Sequence, residues 1–149
     1  MNMSQNVFQD TASERQEDTM TKRNKIIFWV STIWLALGFV STGAGQLFKM
    51  KAGQGGVDMI THLGYPIYVL AILGVWKILG VVALLVPKFP LLKEWAYAGF
   101  FFAMSGAIYS HIASGDSVNA VFPSLGLLIL TVVSWYYRPA DRKIMPAHQ

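Results

Sequence analysis

Lys77 is a lone charge near the middle of an apolar stretch, Pro66 to Val86, and it is the residue from which any chemistry of this chain has to start. Placing a lysine at the centre of a bilayer costs roughly 2.5–3.5 kcal/mol on insertion scales, so a chain that keeps one there pairs it, hydrates it or uses it. Four serine and amide side chains, Gln46, Ser41, Ser105 and Ser110, and one imidazole, His111, fall inside or at the ends of other apolar stretches. Together with Lys77 they form a candidate intramembrane polar site. An amine, an amide and an imidazole can bind a carbonyl or carry a proton. No carboxylate falls within any apolar stretch, so a carboxylate relay of the kind used in coupled transport is missing.

The elements that must position these groups follow from hydropathy. The chain has 149 residues, 54% hydrophobic and only 13% charged, about half the charged fraction of an ordinary soluble domain. Four apolar spans are expected, at about 26–48, 66–86, 95–113 and 121–137. The first carries no charge over about 23 residues, enough at 1.5 Å per residue to cross a ~30 Å hydrocarbon core. A signal-peptide reading of this first stretch competes but is outweighed by the three apolar stretches that follow. The fold class expected is all-α, an integral membrane four-helix bundle. Its membrane domain covers 25–139, preceded by a disordered polar tail over 1–24 and followed by a short cytoplasmic tail over 140–149. Met20 precedes a short basic run, so translation from either Met1 or Met20 fits the sequence.

Charge distribution sets the orientation. Lys22, Arg23 and Lys25 precede the first span, Lys88 and Lys93 fill the second loop, and Arg138, Arg142 and Lys143 follow the fourth. These groups share one face, which the positive-inside rule makes cytoplasmic, with both termini on that side of the cell's inner (plasma) membrane. Trp95 and Tyr97, with Trp135, Tyr136 and Tyr137, are expected as an aromatic belt at the same surface. The net charge of +4 is spread along span ends and forms no basic arm, so nucleic acid is not an expected partner.

Small residues predict the packing. Gly99, Ala103, Gly106 and Ser110 recur at helical spacing and mark the third span as the central packing helix, Gly74 and Gly80 flank Lys77 at three residues on either side, and Gly38, Ser41 and Gly45 make a similar stripe on the first. The absence of cysteine excludes disulfides and thiol chemistry by this chain alone. Three scattered histidines with no i, i+4 pair give no metal site and no haem site. His62 and His111 are placed to approach each other at the outer face, while Asp116 and Asn119 read as turn or cap residues. Glu94 and Lys93 read as ordinary residues of a helix start. No catalytic residue set is identified.

In order along the chain, Leu63-Gly64-Tyr65-Pro66, Leu73-Gly74-Val75-Trp76-Lys77-Ile78-Leu79-Gly80, Leu92-Lys93-Glu94-Trp95-Ala96-Tyr97-Ala98-Gly99 and Ser110-His111 resemble the bacterial DoxX-like membrane proteins over roughly Lys25 to Pro139. The resemblance implies a small four-helix membrane protein. Distant relatives are associated with quinone-linked sulfur oxidation or redox-stress assemblies. The first functional expectation is therefore a non-catalytic membrane subunit or scaffold for a redox or stress-related protein partner, as a single chain or a homo-oligomer in the bilayer. The alternative is a binder of a lipophilic small molecule such as a quinone, held by Lys77 and the outer-half polar residues. A small-solute or proton transporter is a weaker third. Lys77 lies roughly 16 Å below the outer end of its helix and His111 only a few residues below its own. A polar track from Lys77 past Ser41 and Ser105 toward His111 and Gln46 therefore requires their helices to face one another.

Overall fold

A computed structural model describes residues 3–53, 55–139 and 142, with side chains from Thr21 onward. Five helices follow in order: α1 (Met3–Leu47), α2 (Val57–His62), α3 (Tyr68–Leu85), α4 (Pro90–Ala113) and α5 (Val118–Tyr136). The stretch expected as a disordered tail, where described, is the start of α1. No proline occurs before Pro66 and no glycine before Gly38, so nothing in the sequence breaks the helix upstream of the apolar segment. The expected tail at 140–149 lies outside the described residues except for Arg142.

The described segments Thr21–Leu47, Tyr68–Leu85 and Val118–Tyr136 are each long and apolar enough to cross a membrane. α4 is longer than α3 and α5 but carries Lys93 and Glu94 in its opening turns and Ser105, Ser110 and His111 later, which lowers its apolar character. It begins five residues before the expected start because Pro90 occupies its first turn, where the missing N–H is harmless. α2 was not expected from the sequence. It opens at Gly56 directly after the glycine-rich loop.

α1 packs against α3 and α5, and α4 packs against the same two, so the four long helices close a ring. Leu35, Phe39, Val81, Leu84, Tyr97, Phe100 and Met104 fill its centre. The Phe39 and Phe100 rings stack at 3.9 Å with 15° between their planes, joining α1 to α4 across the core. The outside is apolar as well. Ile26, Trp34, Leu37, Trp76, Phe102, Tyr109, Phe122 and Ile129 are all exposed, an arrangement a water-facing surface would not carry.

Close approach falls at the glycines that flank Lys77 and not at those of α4. A side chain on Gly74 would meet the Gly43 carbonyl oxygen at 2.9 Å, and one on Gly80 would meet the Phe100 ring at 2.7 Å. Gly99 and Gly106 have nothing within 4 Å of such an atom. The stripe on α4 is therefore not the packing seam. The seam runs between α1 and α3, because α4 turns its glycines outward.

One end of the ring is tied by polar groups. Lys93 is buried and donates to the carbonyls of Ala83 (3.0 Å), Leu84 (3.2 Å) and Val86 at the end of α3, and Arg142 donates to Leu84 O at 3.0 Å. Cations at a helix C-terminus satisfy the last carbonyls and oppose the negative end of the dipole. Glu94 pairs with Arg138 at 2.5 Å and accepts from Trp135 Nε1 at 2.9 Å. Lys93 and Glu94 thus do more than open a helix. Tyr97 departs from the expected aromatic belt: it is buried and shares a 2.7 Å hydrogen bond with Ser134, which in turn meets Thr32 at 2.7 Å. This hydroxyl chain joins α4, α5 and α1. Trp95, Trp135 and Tyr136 remain exposed at this end.

Candidate functional site

Lys77 faces the ring interior because the residues one turn to either side on its face, Gly74 and Gly80, let α1 and the Phe100 ring of α4 come close. It is 8% exposed. Its Nζ lies 3.4 Å from Thr42 Oγ1, a long hydrogen bond, and 6.0 Å from the centroid of the Phe39 ring. Thr42 also bonds back to Gly38 O at 2.9 Å, so its hydroxyl proton is engaged and its oxygen is left to accept from the amine.

Lys77 lines a cavity of about 370 Å³. Gln46, Ser41 and Thr42 on α1, His111 on α4 and Ser124 on α5 share that lining, with Met59, Ile60 and Leu63 closing it from α2 and its C-terminal side. Of the residues singled out from the sequence, Lys77, Gln46, His111 and Ser41 therefore meet around one space. Ser105 and Ser110 do not join them. Ser105 bonds Phe102 O on its own helix at 3.1 Å, and Ser110 bonds Gly106 O at 2.8 Å and the Tyr65 hydroxyl at 2.8 Å. Gln46 is 2% exposed and its Oε1 has no hydrogen-bond partner among the described residues. A buried acceptor left unpaired costs on the order of 1–3 kcal/mol, and a donor brought by an occupant of the cavity would recover it.

A second space of about 360 Å³ runs between α3 and α4, walled by Trp76, Leu79, Leu92, Trp95 and Phe100. It shares Leu73, Lys77 and Ala103 with the polar cavity. Lys77 thus stands between a polar space and an apolar groove, at the open Gly99 face of α4.

At the far end from Lys93, backbone geometry builds a cluster that the sequence reading left as turn residues. α4 ends with Gly115 in the left-handed region (φ 72°). Its N–H bonds Ile112 O at 3.1 Å, and the N–H of Asp116 bonds His111 O at 3.0 Å. This glycine-terminated cap folds Asp116 back over His111. Asp116 Oδ2 lies 2.6 Å from His111 Nδ1 and its Oδ1 2.6 Å from His62 Nε2. The hydrogen bonds from His111 and His62 hold the Asp116 carboxyl below the usual carboxylate range. His111 is 3% exposed whereas His62 is open to solvent, so one carboxylate links an outer imidazole to a cavity-lining one. The histidines were expected to approach each other. The carboxylate between them carried no signal beyond its place in a Ser-Gly-Asp turn. Among the described residues no group of three His, Cys, Asp or Glu side chains is arranged to hold a metal ion.

Thr42 was also missed. Only its position one residue from Ser41 hinted at it, since successive helix residues point about 100° apart.

The model of the DoxX-like family matches residues 30–134, which takes in α3, α4, nearly all of α5 and the apolar part of α1. No match was found among curated proteins or among solved structures. Lys77, Gln46 and His111 lie within the matched span, together with part of each of the four long helices, and the chain belongs to the DoxX-like family.

Proposed function

We propose that this chain is a four-helix protein of the inner membrane, both termini cytoplasmic, that binds a lipophilic small molecule bearing a ring oxygen, of the quinone kind, around Lys77. The observation that carries this reading is the convergence of Lys77, Gln46 and His111 on one cavity, with Gln46 Oε1 unpartnered among the described residues. A volume of about 370 Å³ lies within the range of small-molecule sites. The Lys77 amine supplies a donor for a carbonyl oxygen, Gln46 an acceptor for a hydroxyl, and the adjoining groove beside Trp76, Trp95 and Phe100 an apolar bed for the rest of the molecule. The exposed Phe102, Tyr109 and Ile112 support α4 as a fourth membrane helix despite its polar residues.

A second reading, the non-catalytic membrane subunit docking a redox partner or a second copy, is favoured by the open face of α4. Gly99 and Gly106 there have free space at the position of a side chain, which suits another helix. Mass spectrometry of the lipophilic compounds and proteins retained by the purified chain separates the two. A ring compound lost selectively from Lys77→Met supports the binding reading; unchanged small-molecule content with a retained protein partner supports the subunit reading.

A further inference from the structure

The His62–Asp116–His111 cluster gives the cavity a chemistry beyond hydrogen bonding. An ionised carboxylate only accepts, so His111 presents Nδ1–H to Asp116, and in the neutral ring this puts the lone pair on Nε2. Nε2 has no hydrogen-bond partner among the described residues, and the ring lines the cavity. The charged or titratable groups facing His111 are Asp116 from the loop after α4, His62 from α2 and, across the cavity, Lys77 from α3. α1 and α5 contribute only the neutral Gln46, Ser41, Thr42 and Ser124.

We propose that the cavity takes a phenol, a ring with an ionisable hydroxyl, and holds it as its anion with the proton on His111. This rests on the cavity reading above and names its ligand class. The ligand O–H bond breaks, the proton passes to the His111 Nε2 lone pair, and the electron pair stays on the ligand oxygen. Nothing else is consumed, and net charge in the site is unchanged. Asp116 is a positioning residue. It orients the ring and faces the imidazolium that forms, as an acidic partner does wherever a histidine acts as a general base. His62 is the second donor on the same carboxylate and its link to solvent.

The test uses the purified full chain in detergent and 4-nitrophenol, whose anion is yellow and whose neutral form is not, at a pH well below its ionisation in water. Retention is followed by equilibrium dialysis and ionisation by absorbance. The parent is expected to retain the probe as the yellow anion. His111→Gln is expected to lower the bound anion fraction about tenfold, equivalent to one pKa unit. Asp116→Asn is expected to shift the bound probe's ionisation to higher pH, with Asp116→Glu restoring it, while helical circular dichroism stays at the parent level. Should His111→Gln fail to fold, the Asp116 pair carries the test. Retention of the probe by the parent as the neutral phenol overturns this inference and leaves the cavity reading standing. Failure of the parent to retain it at any pH overturns both.

Discussion

Gly43 and Gly74 bring α1 and α3 into backbone contact: an added methyl at Gly74 would stand 2.9 Å from Gly43 O and 2.8 Å from Leu47 Cγ. Gly74→Val is therefore expected to destabilise the protein by roughly 1–3 kcal/mol, the usual range for forcing extra methyl groups into a packed seam. Gly99→Ala, where open space surrounds the position, is expected to be neutral or to gain about 0.5–1 kcal/mol from helix propensity. Unfolding of the two variants in a denaturing detergent checks the contrast, and equal destabilisation by both would refute the assigned seam.

Lys93 ties the start of α4 to the end of α3 through three carbonyls. Removing the amine in Lys93→Met leaves buried acceptors without their charged donor. A loss of roughly 1.5–3 kcal/mol is expected, since a hydrogen bond to a charged group is worth that much. Lys88→Met in the preceding loop, exposed in the structure, should change stability little. Thermal unfolding of both variants decides it.

Acid should loosen the outer end of the ring. The Asp116 carboxyl is held below its ordinary value by the bonds from His111 and His62. A depressed carboxylate stabilises fully above its unfolded pKa of about 3.9 and loses that contribution as pH falls through the folded value. The α4–α5 turn should stay protected from hydrogen exchange down to about pH 4 and open below it. In Asp116→Asn the protection should be lower at neutral pH and lack this acid step. A parent profile flat through that window would contradict the assignment.

Among the described residues Lys77 makes one long hydrogen bond, to Thr42, between the polar cavity and the apolar groove. If its place were structural, removing it would destabilise the ring. Lys77→Met is expected instead to be neutral or more stable, by on the order of 1 kcal/mol, because a poorly compensated buried polar group costs more than it returns. Thermal unfolding of ligand-stripped parent and variant reads the sign directly.

The proposed orientation rests on the position of the cations. Arg142 lies over the rings of Phe28 and Trp29 and bonds Leu84 O, so the beginning of the apolar part of α1, the end of α3 and the end of α5 lie at the same end of the ring. By the positive-inside rule this cation-rich end is the one proposed to face the cytoplasm. A C-terminal reporter active only outside the cytoplasm should stay silent, and activity would reverse the orientation.

The sequence by itself determined what depends on length and local hydropathy. The apolar stretches coincide with long helices, Lys77 is the lone charge in its helix, and the motifs around it name the family. The third span ends at Ala113 as expected, just before Gly115, while its helix starts at Pro90, five residues ahead of the expected start. Only the tertiary structure decided which faces meet. Helix rotation of about 100° per residue separates Ser41 from Thr42, and no local pattern says which one turns to Lys77. The same uncertainty of rotation made Gly99 and Gly106 look as close-packed as Gly74, which alone of the three meets a neighbouring backbone, at Gly43, and made Tyr97 look interfacial when it is buried against Ser134. Asp116 joins His62 across 54 residues of chain, a pairing set by where two helix ends come to rest and by nothing in the residues near either one.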